Sequence, residues 1–290
     1  MNVLVIGGAG FLGSHLIPAL WQASHGANVM DVIPQDAASK LAGVRDEISS
    51  YLWKSAVDVS SNDLEVGYDA VVYLAAQADV PLSITSPKWT YDQNVGGVLA
   101  VLEAIRKRSS FFTTWPKLIY ISTENVYGHV PPEKLPITED YPFNPSNAYA
   151  ASKAAAELLI NAYATQFNMP AIILRSTTMF GENSRLKQAV PIFIRQALHN
   201  KPITLEGDGS QTRDFSYVGN TVEGIMLALE GGVTHGTFNI GSGQETSIKE
   251  LAELVVKMTE SESKIVETPW RPGEQGLRLS ISIEKAKKEL

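Results

Sequence analysis

The sequence contains no cysteine, which excludes disulfides, thiol nucleophiles, thiolate zinc sites and Cys-ligated iron–sulfur clusters. It is short of positive charge: 24 Lys+Arg stand against 31 Asp+Glu, a net charge of −7. That balance argues against nucleic acid or an anionic membrane as a main partner, because both recruit basic surfaces. No apolar run approaches the roughly 20 residues a spanning helix needs. The Met1–Ile6 start also lacks the basic and apolar regions of a secretory leader, so the expected location is the cytoplasm. Repeats, low-complexity tracts and long linkers are missing too. What remains is an ordinary globular composition, 44% hydrophobic and 19% charged over 290 residues, suited to one large domain or two unequal ones.

Short apolar runs alternate with helix-length segments. The strand candidates are Val3–Ile6, Asn28–Val32, Ala70–Leu74, Lys117–Ser122, Ala171–Arg175 and, much later, Thr237–Ile240. Their near-continuous apolar character suits strands buried on both faces of a parallel sheet. Between them, Gly10–Ser24, Val95–Arg108 and Asn147–Phe167 read as helices. The succession predicts an α/β fold with a doubly wound parallel sheet. After about residue 176 the pattern loosens. Pro191 suits the first turn of a helix Ile192–His199, and Ser247 with Glu250 forms a capping box opening Ile248–Met258. A last helical stretch covers Ile283–Leu290. We therefore expect a sheet domain over 1–175, with later returns near 214–242, and a smaller α/β substrate-binding C-terminal lobe built mostly from 176–290.

The segment Gly8-Ala9-Gly10-Phe11-Leu12-Gly13 follows the first strand and opens the first helix. Glycines there allow a tight turn and let backbone N–H groups approach a pyrophosphate at the helix N-terminus. A G-x-G-x-x-G alone is weak, since any glycine-rich β–α turn satisfies it. Asp31 decides the matter. It ends the second strand, 18 positions after Gly13, where an acid accepts hydrogen bonds from ribose hydroxyls and repels a 2′-phosphate. No Arg or Lys follows it before Lys40. The reading is a Rossmann-type NAD site rather than an NADP site.

Tyr149 and Lys153 are spaced i,i+4 on the predicted helix Asn147–Phe167 and share one face. In isolation such a pair reads as an interfacial Tyr beside a solvated Lys. Beside a bound nicotinamide it reads as a proton-transfer pair, in which an ammonium near a phenol favours the phenolate. Ser122 and Thr123 close the fourth of the strand candidates, at the carboxyl edge where doubly wound folds place ligands. Either hydroxyl could instead be a strand-end or capping group.

Taken together, Gly7–Gly13, Ser122-Thr123-Glu124-Asn125-Val126-Tyr127-Gly128 and Tyr149…Lys153 resemble the extended short-chain dehydrogenase/reductases, in particular the NAD-dependent nucleotide-sugar epimerases and dehydratases. Leu74-Ala75-Ala76-Gln77, Asn94-Val95-Gly96-Gly97, Gly207–Val218, Phe238–Gly243 and Arg271-Pro272-Gly273-Glu274 agree with that resemblance. It implies that Tyr149 takes the proton of the sugar 4-hydroxyl, that Lys153 tunes it and holds the nicotinamide ribose, and that Thr123 bridges to the same oxygen. For NAD it implies Gly7, Gly10, Phe11, Leu12 and Gly13 at the pyrophosphate, Asp31 at the ribose and Asp58 and Val59 at the adenine. Leu74, Ala75, Ala76, Asn94 and Ser122 line the rest of the groove, with Tyr149 and Lys153 at its end. For a nucleotide-diphosphate sugar it implies Arg213 and Arg271 at the diphosphate, a role suited to a guanidinium fork. Ser83, Thr123, Glu124, Tyr149, Thr178 and Gln188 complete the substrate set.

Relatives that eliminate water carry an Asp-Glu pair directly after the threonine, whereas here Glu124 and Asn125 follow Thr123. Asn125 cannot abstract a proton, and decarboxylating relatives place a glutamate where it stands. C4 epimerisation of a UDP-glucose/UDP-galactose-type substrate through a transient 4-keto sugar is therefore the expected activity. A dehydratase or other 4-keto-forming relative is the alternative within the family, and a non-catalytic NAD-binding regulator the alternative outside it. Thr178 and Gln188 stand where the family often carries Asn, and the chain ends slightly short of the family's usual length. The resemblance also implies a homodimer through the helices Val95–Arg108 and Asn147–Phe167.

Overall fold

A computed structural model describes residues 1–109, 114–270 and 276–290. Seven parallel strands form its central sheet in the order β11-β6-β5-β4-β1-β2-β3. They are β1 (Asn2–Ile6), β2 (Gly26–Asp31), β3 (Ile48–Trp53), β4 (Ala70–Tyr73), β5 (Lys117–Thr123), β6 (Ala171–Ser176) and β11 (His235–Ile240). The chain winds outward from β1 in both directions, so strand order reverses between β1 and β4, where a crevice opens at the carboxyl ends. The interior strands are buried along nearly their whole length. β3 is the exception: it is an edge strand with Ser49, Ser50, Leu52 and Trp53 exposed, and it has no counterpart among the sequence-derived strands.

Helices cover both faces. On one side α1 (Gly13–Gln22) and α7 (Val218–Glu230) pack Leu16, Ile17, Leu20, Ile225 and Leu229 against Val3, Val5, Ile119 and Ile172. On the other, α4 (Gly97–Ser109) and α5 (Ala148–Phe167) press Val101, Leu102, Ile105, Ala156 and Ile160 against Leu4, Val71 and Ile173. α5 begins at an Asn147 cap, whose Oδ1 accepts the Ala150 N–H at 2.9 Å, satisfying one of the orphan donors of its first turn. Two short helices, α2 (Val80–Thr85) and α3 (Pro87–Tyr91), and a π-helical turn at Asp92–Gly96 lead into α4.

Beyond β6 the elements shorten. β7 (Thr178–Phe180) pairs with β10 (Phe215–Tyr217), β8 (Ile203–Glu206) with β13 (Ile265–Thr268), and β9 (Thr212–Arg213) with β12 (Thr246–Ser247). α6 (Ala189–Leu198) and α8 (Ile248–Met258) enclose a separate small core of Val190, Phe193, Leu205, Leu251 and Val255. Pro191 lies in the first turn of α6, and the capping box of Ser247 and Glu250 opens α8. α9 (Glu284–Glu289) closes the chain. Among the described residues, no helix is long and apolar enough to cross a membrane.

The constraint that fixes the start of α1 is backbone contact. A Cβ on Gly13 would lie 2.1 Å from the Gly8 carbonyl oxygen, and Gly7, at φ +84°, would set one 2.5 Å from the Ala75 nitrogen. No side chain fits either place without moving backbone. Gly13→Ala is therefore expected to lower stability by about 1–3 kcal/mol or more through overpacking, measured as a fall in the denaturation midpoint.

Candidate active site

The crevice is lined from the carboxyl ends of four strands. After β1 comes the glycine turn: the Gly10 N–H donates to Gly7 O at 3.2 Å, and the Ser14 N–H to Gly10 O at 3.2 Å. Gly7, Gly10, Phe11, Leu12 and Gly13 thus sit together at the N-terminus of α1. Asp31, at the end of β2, is buried beside them; one carboxylate oxygen accepts the Ala9 N–H at 2.9 Å and the other the Ile33 N–H at 3.0 Å. Each oxygen keeps lone-pair capacity for a further donor such as a ribose hydroxyl. Val59 is buried and Asp58 exposed on the turn after β3, while Leu74, Ala75 and Ala76 follow β4.

Asn94 lies on the π-helical turn and is buried. Its amide accepts the Gln77 N–H at 2.7 Å and donates to Gln77 O at 3.1 Å and to the Ser152 hydroxyl at 2.8 Å. It therefore stitches the segment after β4 to α5 and holds that wall of the crevice. Ser83 is wholly buried in α2, with its hydroxyl donating to Val80 O at 2.7 Å.

Thr123 ends β5, and Tyr149 and Lys153 face it from α5. The Asn125 side-chain amide donates to Thr123 Oγ1 at 2.9 Å. Lys153 is buried, its ammonium donating to Ile121 O at 2.5 Å and lying 4.1 Å from the centre of the Tyr120 ring. Burial pulls its pKa down to about 7, with the Glu157 carboxylate acting in the opposite sense. Tyr149 is half-buried, and loss of solvation raises the pKa of its phenol, against which the Thr123 hydroxyl and Arg185 work. Arg185, on the loop between β7 and α6, is a charge near the phenol that the motif reading missed.

Next to Thr123, Glu124 is buried, with one oxygen accepting the Thr178 hydroxyl at 3.3 Å and the other unpartnered. Burial raises its pKa from 4.5 to about 8, against the nearby Arg213 and together with Asp214. Arg213 donates to Thr212 O at 2.8 Å. Asp214 is buried beside it and accepts the backbone N–H groups of Ser242 and Gly243, each at 2.9 Å, tying the Gly207–Val218 motif to Phe238–Gly243. Gln188 precedes α6 and carries a buried, unpartnered side-chain oxygen. Arg271, with Arg271-Pro272-Gly273-Glu274, lies outside the described residues.

Two residues of the same β7–α6 loop reach back across the crevice. His15 donates to Glu182 O at 2.8 Å, Asn183 donates to the Ser14 hydroxyl at 3.3 Å, and Lys40 donates to Asn183 O at 2.6 Å. Beneath the site, Arg175 grips Glu157 through Nε and Nη2 at 3.0 and 2.8 Å, and the Ser122 hydroxyl donates to the same carboxylate. Ser122 therefore turns its side chain toward Glu157 rather than into the groove. The sequence reading assigns no role to Glu157 or to Arg175, the last residue of a strand candidate; the recurrence Tyr149, Lys153, Glu157 in an alanine-rich helix is the available signal.

The family model described as "NAD dependent epimerase/dehydratase family" matches residues 3–241. The chain is 31% identical over 288 residues to a putative UDP-glucose 4-epimerase of Methanocaldococcus jannaschii, covering 98% of this chain and 90% of that one. It is 32% identical over 275 residues to human dTDP-D-glucose 4,6-dehydratase, covering 91% and 76%. The crystal structure of UDP-glucuronic acid 4-epimerase from Bacillus cereus, in complex with UDP-glucuronic acid and NAD, superimposes with a TM-score of 0.89 at 28% identity, covering 100% of this chain and 93% of that one.

A carboxyl that is neutral in the folded protein and ionised in the unfolded one costs stability wherever the unfolded state has lost its proton. For Glu124 that window runs upward from pH 4.5 through about pH 8. Stability is expected to fall with rising pH across it, and Glu124→Gln to flatten the fall, read as melting temperature against pH for the two proteins.

Proposed function

The chain belongs to the NAD dependent epimerase/dehydratase family, and from that premise we propose that it is a 4-epimerase of nucleotide-diphosphate sugars of the UDP-glucose/UDP-galactose type. NAD is the cofactor. The glycine cradle, which has no room for a Cβ at Gly7 or Gly13, and the buried Asp31 carboxylate fit a dinucleotide. Bound there, NAD supplies an acceptor and donor of hydride.

The chain's own residues manage the proton and the pose. Tyr149, as phenolate, takes the proton of the sugar 4-hydroxyl, and Thr123 holds that oxygen between itself and the phenol. The Lys153 ammonium, poised near neutrality, favours the phenolate by charge. Arg213 pairs with the diphosphate, which anchors the nucleotide and leaves the sugar free to turn between the two hydride transfers. Re-protonation by Tyr149 completes the cycle without another acid or base.

The observation that carries the epimerase reading over elimination is the state of residue 125. Water loss needs a second carboxylate beside Thr123; at that place stands an amide, and its N–H is engaged with Thr123 Oγ1 at 2.9 Å. One observation favours the dehydratase reading instead. Glu124 holds its proton to about pH 8 and is placed next to Thr123, as a proton donor to a leaving hydroxyl would be. The known relatives include both activities.

Incubation of the purified protein with a panel of nucleotide-sugars separates the readings. Interconversion of 4-epimers with no net NADH is expected; a 4-keto-6-deoxy product would overturn the epimerase assignment. Tyr149→Phe is expected to lower turnover by about 10²–10⁴-fold, the usual weight of acid–base catalysis, while the protein keeps its NAD by absorbance.

We further propose a homodimer through α4 and α5. Leu99 and Leu158 leave 41% and 58% of their surface exposed on the outer faces of these two adjacent helices, the kind of apolar surface that pairs in a four-helix bundle. Light scattering at micromolar concentration is expected to give twice the monomer mass, and Leu158→Glu to reduce it to one.

A further inference from the structure

Tyr149, Lys153 and Glu157 follow one another at intervals of four on α5, so all three face the sheet. The first two are the proton-transfer pair. The third has no solvent contact and the lysine almost none: the Lys153 ammonium has Ile121 O at 2.5 Å and the Tyr120 ring at 4.1 Å. A carbonyl dipole and a ring face are weak compensation for a charge taken out of water.

Glu157 is held from three directions. Arg175, which pairs with Ser122 in register across β5 and β6, clasps it through two guanidinium nitrogens; the Ser122 hydroxyl donates to it from β5. Arg175 is itself fixed by donating to the Tyr127 hydroxyl at 2.8 Å and to Glu139 O at 3.0 Å, with its guanidinium 4.9 Å from the Phe143 ring. The titratable groups around Lys153 are therefore Tyr149 and Glu157 on α5, Tyr120 on β5, Tyr73 on β4 against Tyr120, and Arg175 on β6. Beyond them lie Glu124 and Arg185 near Tyr149, and Tyr127 and Glu139 near Arg175. Burial keeps Tyr73 and Tyr120 protonated and uncharged. Of these groups it is Glu157 whose charge acts on Lys153 to favour the ammonium.

We propose that Glu157, anchored by Arg175 and Ser122, is a positioning residue for Lys153, keeping its ammonium charged and drawn against Ile121 O at the place where Tyr149 requires it. Arg175 has a separate part: its two guanidinium bonds hold the Glu157 carboxylate in one place, one helical turn from the lysine and not in the crevice. The inference rests on the reading of Tyr149 and Lys153 as the proton-transfer pair, but its test needs no sugar substrate.

The test is the titration of Lys153 in the NAD-loaded protein, followed by NMR of ¹³Cε-labelled lysine with Lys153→Met as the spectral blank. In the parent the midpoint is expected well below the ordinary lysine value, the direction in which burial drives it. In Glu157→Gln it is expected to fall by about one pH unit or more, the usual effect of losing a close opposite charge; Glu157→Asp is expected to recover most of the shift. The alkaline limb of the turnover profile moves with it to lower pH. Removing one half of a buried ion pair can unfold a protein, so Glu157→Gln/Arg175→Met serves as the second variant, since loss of both partners is better tolerated; the same downward shift is expected there. A folded Glu157 variant whose Lys153 midpoint stays in place, or rises, overturns the proposal and leaves Glu157 a packing residue. A shifted midpoint in a protein that turns over no nucleotide-sugar upholds it and counts against the epimerase reading alone.

Discussion

The geometry of this molecule depends on how close two stretches of backbone come. Gly13 lies against Gly8 with space for a hydrogen and nothing larger, and that contact fixes where α1 begins and which way its free amides face. Asp31 can then bond Ala9 across the turn, α1 can lie on the sheet beside α7, and the first turn of α1 becomes available to the loop that follows β7. A side chain at either glycine would move all of these at once, because a close-packed interior passes a displacement on rather than absorbing it.

Around the crevice the chemistry is set by how dry each group is. Lys153 is brought near neutrality by burial, Glu124 is held protonated by burial, and Tyr149 is left as a phenol until an opposing influence acts. Lys153 and Glu124, whose ordinary values lie far apart, are thereby moved toward one another around physiological pH, while burial moves the Tyr149 phenol the other way and leaves it in need of a nearby positive charge. The amide of Asn125 contributes direction rather than charge, fixing the hydroxyl of Thr123.

Much of this was legible in the sequence, for reasons that can be named. Strands buried on both faces leave apolar runs, so β1, β2, β4, β5, β6 and β11 could be read to within two residues of their ends. β3 could not, because an edge strand carrying Ser49, Ser50 and exposed Trp53 has no such run. The helix read from Gly10 begins at Gly13, since the residues before it form the turn. The capping box at Ser247 and Glu250 was legible because both partners sit three residues apart. The π-helical turn that buries Asn94 left no periodic trace. The Glu157–Arg175 pair was illegible for the same reason that it matters: its members are 18 residues apart in the chain, on a helix and a strand, and only the assembled sheet brings them together.

The bonds between Glu182 and Asn183 on one side and His15, Ser14 and Lys40 on the other join the loop leading into α6 to the first turn of α1 and the segment after β2. Motion of one wall is therefore mechanically tied to motion of the other. A ligand that stiffens the amides of α1 also restrains the loop leading into α6, and a ligand held by that loop restrains α1. Linkage then requires reciprocity: whatever factor the dinucleotide contributes to the affinity for the sugar nucleotide, the sugar nucleotide returns to the dinucleotide. Two ligands bound on either side of these hydrogen bonds would then be partners in one equilibrium.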